Sequence, residues 1–266
     1  MDVGPLRDLL TAVVGLATGV LSGAFGVGGA VISTPGIRLL GVPALVAVGT
    51  TLPSILPTAL AGAHRYRAEG LISWDAVMFT VPTGLIASIA GGILSDHIPG
   101  DGHILMLVTA LLLGITAWRM GRSTNNDNSD DLSQSQTQSQ SHVRARLAAV
   151  GVFAGGMSGL LGVGGGLVMV PAFHQMAGLS IKSAIGTSLA CVAAFAIPGT
   201  ITHALLDHID WRVAIFLTLT VIPGARYGSG LAMRASDDHL RRIVSIFLGL
   251  IAIGYATGEL IALIID

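Results

Sequence analysis

A chain of 266 residues of which 52% are hydrophobic and only 11% charged lacks the polar surface of a soluble domain, where about a quarter of residues are charged. A net charge of -1 gives no basic field for nucleic acid, and the single cysteine, Cys191, excludes an intrachain disulfide or a multi-cysteine metal site. With a mean hydropathy of +0.76, the composition describes an all-α polytopic membrane protein whose first partner is the lipid bilayer.

The N-terminus carries Asp2, Arg7 and Asp8 ahead of an apolar stretch. It has neither a basic leader region nor a small-residue cleavage site, so it reads as a first span and not as a signal peptide. Hydrophobic segments follow near residues 6–34, 43–64, 74–95 and 103–120, then near 146–173, 182–203, 211–233 and 239–264. Runs approaching 20 apolar residues are read as membrane-crossing helices. Between the two sets lies a polar stretch, Arg122 to His142, with Leu132 as its one aliphatic residue. It cannot bury enough apolar surface to offset its ordering entropy and is expected to be a disordered linker. The predicted organisation is a transmembrane repeat over 1–121, a linker over 122–143 and a second transmembrane repeat over 144–266.

The halves match at several independent places. Ser22-Gly23-Ala24-Phe25-Gly26-Val27-Gly28-Gly29-Ala30, followed by Pro35, parallels Ser158-Gly159-Leu160-Leu161-Gly162-Val163-Gly164-Gly165-Gly166, followed by Pro171. Ala47-Val48-Gly49-Thr50-Thr51-Leu52 parallels Ala184-Ile185-Gly186-Thr187-Ser188-Leu189, Gly62 parallels Gly199, and Trp74 parallels Trp211. Internal repeats of this kind mark many transporter folds. A unit of four crossings makes the halves parallel, whereas an inverted pair needs an odd number of crossings; both remain open in the sequence. If all eight segments cross, Arg7, Arg65, Arg67, Arg119, Arg122, Arg144, Arg146 and Arg212 share one face, against Arg38, Lys182, Arg234, Arg241 and Arg242 on the other. The positive-inside rule then places the linker and both termini in the cytoplasm.

The paired glycine runs carry the strongest functional signal. Glycine weakens a helix by up to about 1 kcal/mol per residue relative to alanine, so each first segment is expected to break there. Irregular backbone at membrane depth is tolerated where it is buried in protein or lines a wet cavity. The half-helix that resumes after a break offers free N–H groups and a positive dipole end, which suits an anion. Close helix packing through small residues is the bland alternative. Candidate substrate contacts are Ser22, Gly26, Gly28 and Gly29 in the first run and Ser158, Gly162, Gly164 and Gly165 in the second. The hydroxyls of Thr50, Thr51, Thr187 and Ser188, beside an expected second break, are candidate donors to an oxyanion, although such hydroxyls also bond back to their own helix.

Arg226 lies inside the seventh segment, where an ionisable group is by default a functional hypothesis. Arg38 reads as a snorkelling end-of-helix residue, and Trp74 and Trp211, beside Asp75 and Asp210, read as interfacial anchors. Gly156-Met157-Ser158-Gly159 touches the motif of intramembrane serine proteases, but its duplication without a paired histidine argues for packing. The Gly162 run lacks the preceding strand and following acid of a dinucleotide site. No catalytic residue, metal or cofactor is expected.

Two copies of Ser-Gly-x-x-Gly-Val-Gly-Gly-[Ala/Gly] with a following proline, then Ala-x-Gly-Thr-[Thr/Ser]-Leu and a tryptophan opening the next segment, resemble the TauE/SafE family of sulfite exporters. The resemblance implies a transporter of the cytoplasmic membrane for sulfite, sulfoacetate or another organosulfonate. One departure is Ala30, which ends the first run where Gly166 ends the second. With the cell interior negative, outward movement of one negative charge gains about 2.3 kcal/mol per 100 mV. The spans hold almost no carboxylate for proton relay, Glu259 being the exception. Uncoupled efflux is therefore favoured over anion uptake; a membrane protein that binds its ligand without moving it is the remaining alternative.

Overall fold

A computed structural model describes residues 4–95, 110, 111, 114, 115, 117, 118, 140–161 and 164–265. Among these residues the chain is helical and contains no strand. The helices are α1 (Pro5–Phe25), α2 (Ala30–Leu39), α3 (Ala44–Ala68), α4 (Trp74–Ser95), α5 (Gln140–Leu161), α6 (Gly166–Met176), α7 (Ile181–Leu205), α8 (Trp211–Arg234) and α9 (Asp237–Ile265). Among the described residues five stretches are long and apolar enough to cross a membrane: Pro5–Phe25, Leu45–Ala68, Trp74–Leu94, Ile181–Leu205 and Asp237–Gly258. Most of the predicted segment 103–120 and most of the predicted linker lie outside the described residues; the described part of the former, 110, 111, 114, 115, 117 and 118, is helical. α5 begins at Gln140, inside the stretch assigned to that linker.

The first segment of each half divides as its glycines require. α1 ends at Gly26, whose φ of 73° is left-handed and whose N–H donates to the Ser22 carbonyl at 2.8 Å; glycine adopts that conformation without a Cβ penalty. α2 and α6 then run for only 10 and 11 residues. At 1.5 Å per residue each covers about half of a hydrocarbon core about 30 Å thick.

The second segments behave differently from the expectation. α3 and α7 are continuous through Gly49-Thr50-Thr51 and Gly186-Thr187-Ser188, so no second break exists there. A single glycine costs less than the tertiary packing of a long buried helix returns. α3 also carries Pro53 and Pro57. Hydroxyls bond back to its own carbonyls, Ser54 to Thr51 at 2.7 Å and Thr58 to Ser54 at 2.5 Å, as is usual where proline interrupts a membrane helix.

Glycine determines which helices touch. Gly15, Gly19 and Gly23 of α1 lie directly against the backbone of Leu217, Val221 and Ala225 of α8, and Gly224 and Gly228 of α8 lie against Leu16 and Val20. The same pattern recurs where Gly151, Gly155 and Gly159 of α5 meet Thr80, Gly84 and Ser88 of α4. Fourth-residue spacing of small residues lets two backbones approach this closely. In each case the first helix of one half packs on the fourth helix of the other. α3 and α7 cross between these pairs, with Gly199 against Leu52, Gly62 against Leu189 and Gly186 against Tyr66.

The matched positions fix the helix directions. Numbers rise together in α1 and α8 and in α4 and α5, but run oppositely in α3 and α7. The short turns after α3 and α7 reverse the chain, so α4 opposes α3 and α8 opposes α7. α1, α3 and α8 therefore point one way and α4, α5 and α7 the other. The starts of α1 and α5 lie at opposite ends of the bundle, which is the inverted arrangement. The expectation that the linker shares a face with the N-terminus does not fit it. Cross-half ion pairs, Arg212 to Asp8 at 2.7 Å and Arg7 to Asp210 at 3.6 Å, tie the starts of α1 and α8. Lys182 to Asp237 at 3.4 Å ties the starts of α7 and α9 at the other end.

Because a Cβ at Gly19 or Gly155 would collide with facing backbone, overpacking there should cost at the top of the usual range of about 1–3 kcal/mol or beyond. Gly19→Leu and Gly155→Leu should each abolish a monodisperse species in size-exclusion chromatography, while Gly156→Leu, which faces open space, should leave it intact.

Candidate functional site

The two glycine breaks meet at the centre of the molecule. Gly28, Gly29, Gly164 and Gly165 all have φ between 66° and 89°, a conformation that glycine alone adopts freely. Gly28 and Gly164 face each other, each Cα only 3.8 Å from where the other's Cβ would stand. Gly166 lies against the Gly26 carbonyl, leaving no room for a side chain. Ser188 links the breaks by donating to the Gly26 carbonyl at 2.9 Å and to the Gly166 carbonyl at 3.4 Å. Tyr66 donates to the Gly23 carbonyl at 3.2 Å, fixing the last turn of α1 just before its break.

Everything around the breaks is buried. Val27 is 3% and Ala30 0% exposed. Val192 of α7 packs on both Gly28 and Gly164, and Ile55 of α3 reaches Gly164. α2 and α6 begin at this point, and neither N-terminus receives a side-chain cap from its own Gly29 or Gly165. Their positive dipole ends converge, while the N–H groups of Ile32 and Val168 bond back to the Gly29 and Gly165 carbonyls at 3.0 and 3.2 Å. The breaks are closed on each other, with Val192 and Ile55 as apolar neighbours.

The predicted contacts divide into groups. Ser22, Gly26, Gly28, Gly29, Gly164, Gly165 and Ser188 come together at the breaks. Gly162 lies outside the described residues. Ser158 is buried in the last part of α5 and its hydroxyl has no hydrogen-bond partner among the described residues. Thr51 donates to the Val48 carbonyl at 2.9 Å and lies 3.3 Å from the Thr34 hydroxyl. Thr50 and Thr187 stand further away: Thr50 Oγ1 accepts the Asp210 N–H at 2.9 Å and Thr187 Oγ1 accepts the Ser73 N–H at 3.0 Å. Each threonine thereby holds the turn before α8 or α4 of the opposite half. Arg226 projects from the exposed face of α8, away from the glycine breaks. Trp74 and Trp211 are 54% and 55% exposed at helix starts, in keeping with interfacial anchors.

Thr18 is the residue that the sequence reading missed. It lies one turn before Ser22 on α1, is 1% exposed, and has no hydrogen-bond partner for its hydroxyl among the described residues. Its methyl group and the Ser22 side chain face Gly29 at the start of α2. The second half has Ala154 in that place, so a search for duplicated elements passes over it.

The sequence profile described as Sulfite exporter TauE/SafE matches residues 11–255 of the chain. The chain belongs to the TauE/SafE sulfite exporter family. Relatives extend over almost the whole length. A probable membrane transporter protein of Xylella fastidiosa is 29% identical over 247 residues, covering 91% of this chain and 89% of its own. A probable membrane transporter protein of Methanocaldococcus jannaschii is 25% identical over 259 residues, covering 92% and 93%. YunE of Bacillus subtilis, also a probable membrane transporter protein, is 25% identical over 269 residues, covering 91% and 95%. No solved structure matches. The chain is accordingly a multi-pass membrane transporter and not an enzyme.

Thr50→Val and Thr187→Val each leave a part-buried backbone N–H without its acceptor, a loss of about 1 kcal/mol or more. Thermal unfolding in detergent should show both variants destabilised by similar amounts; an unchanged midpoint for either would mean that its hydroxyl does not hold the opposite turn.

Proposed function

We propose that the protein exports a small sulfur-containing anion, such as sulfite, sulfoacetate or another organosulfonate, across the cytoplasmic membrane, and that the anion is held between the two glycine breaks. The observation that carries this reading is the convergence of two uncapped half-helix N-termini, one from each repeat, at the point where Gly28 meets Gly164. Such termini stabilise negative charge through oriented N–H groups, and discontinuous helices at a repeat interface are a recurrent way to build a midplane site. Val192 and Ile55 close the breaks in this conformation, so α3 and α7 must separate for an anion to enter or leave.

Electrical work favours the outward direction. Among the described residues of α1–α8, every Asp and Glu lies at or beyond a helix end (Asp8, Glu69, Asp75, Asp207 and Asp210), leaving no carboxylate within those helices to relay protons.

Charge also supports an orientation. Arg65, Arg67, Arg144, Arg146, Lys182, Arg234, Arg241 and Arg242 fall at the end of the bundle where α5 starts, against Arg7, Arg38 and Arg212 at the end where α1 starts. The positive-inside rule then puts the linker in the cytoplasm and the start of α1 outside. A membrane-impermeant maleimide should label Gly4→Cys in intact cells and Leu132→Cys only after permeabilisation; identical labelling of both sites would refute the inverted orientation.

For transport itself, proteoliposomes holding the purified protein should show saturable sulfite or sulfoacetate flux driven by an inside-negative potential. Absence of saturable flux for both anions would remove the substrate assignment. Gly28→Ala and Gly164→Ala, strained by their left-handed φ, should reduce flux at least tenfold per amount of monodisperse protein, and transport surviving both changes would exclude the glycine breaks as the site.

A further inference from the structure

The two breaks are similar in backbone but not in the side chains that face them. Gly29, the N-cap of α2, has Thr18 and Ser22 as its nearest neighbours, with Ser22 Oγ 3.7 Å from the Cβ position. Both residues are 1% exposed, and neither hydroxyl has a partner among the described residues. An unpaired buried hydroxyl is costly, and these two lie one helical turn apart on the same face of α1. Gly165, the N-cap of α6, is faced instead by Ala154, whose backbone and methyl group are its three nearest neighbours.

Ser188 is engaged with the Gly26 and Gly166 carbonyls, and the Ser33 hydroxyl with the Gly29 carbonyl at 3.3 Å. The Ser188 bond holds the Gly26 carbonyl toward Gly166 of the second half. A negative ligand near Gly29 therefore lies at the positive end of α2 and beside the Ser22 hydroxyl, with Thr18, whose methyl group faces Gly29 here, offering its hydroxyl on rotation about χ1.

We infer that the two half-sites are unequal, and that the first, built from Thr18, Ser22 and the N-terminus of α2, is the subsite that grips the oxyanion group of the substrate, with Thr18 a specificity-determining residue. This rests on the reading that the breaks hold an anion. The ligand class is a compact oxyanion with at least two acceptor oxygens, as in a sulfite or a sulfonate headgroup. Each hydroxyl donates one bond to it and the α2 terminus supplies backbone donors. The second half contributes its dipole end and Ser158.

The test is calorimetric titration of the purified protein with sulfite and with sulfate. Thr18→Val, which keeps the shape and removes the hydroxyl, and Ser22→Ala should each weaken binding about tenfold or more, as loss of a charge-assisted hydrogen bond requires. Thr18→Ser should restore most of the affinity. Ser158→Ala should weaken binding at least several-fold less than Ser22→Ala, and Thr200→Val, whose hydroxyl bonds its own helix at Ala196, should bind as the parent does. If Thr18→Val does not fold, Thr18→Ala replaces it, with the same expected loss.

Equal losses at Ser22 and Ser158, unchanged affinity in Thr18→Val and Ser22→Ala, or no binding of either anion by the parent would each overturn the inference. The predicted binding pattern without any flux in proteoliposomes would uphold the subsite and remove the export reading, so the two failures are distinct.

Discussion

A polypeptide that stops being helical inside a bilayer must find partners for the N–H and C=O groups it releases, because hydrocarbon offers none. This chain does so twice, and the rest of its architecture follows from the solution. The two interruptions are placed against each other, so that backbone from one half lies on backbone from the other with no side chain between them. Ser188 satisfies carbonyls on both sides at once. The positive dipole ends of α2 and α6 are left at the same place. Two converging positive helix ends in a buried place suit an oxyanion.

Holding two breaks in contact demands rigid surroundings, and glycine provides these in a second, different way. The ladder of Gly15, Gly19 and Gly23 on α8, and its counterpart Gly151, Gly155 and Gly159 on α4, bring helices from opposite halves to backbone contact. The halves are thereby exchanged, each first helix secured to the other half's fourth. Thr50 and Thr187 add hydrogen bonds that also cross between halves. A site at the centre of such a crossed assembly is sensitive to any shift of one half against the other, which is what a transport cycle requires. The lipid-facing surface carries exposed large apolar residues such as Leu6, Met78, Ile86 and Leu219, as a bilayer demands.

Much of this is legible in the sequence. The paired motifs around Gly26–Gly29 and Gly162–Gly165 mark both breaks, and the composition marks the membrane. The continuity of α3 and α7 was not legible. Gly49-Thr50 looks like Gly26-Val27 locally, and only the contacts of Thr50 with Asp210 and of Gly49 with the His208 carbonyl explain why helix persists there. The orientation of the halves was hidden as well, because 10- and 11-residue half-helices merge with their neighbours in any hydropathy count and change the parity of crossings. Arg226 drew attention as an intramembrane cation, yet helical phase turns it outward on α8. Thr18 escaped notice because its significance lies in an asymmetry, threonine against Ala154, that a search for repetition discards.

The most direct measurement is the position of a bound anion. A structure of the purified protein with selenate, a heavier analogue of sulfate, would locate the anion by its anomalous scattering. The account predicts a peak within hydrogen-bonding distance of the first turn of α2, next to Gly28, Gly29 and the Thr18 and Ser22 hydroxyls. A peak elsewhere, for example at the exposed Arg226, with the breaks still closed on each other at saturating anion, would contradict it.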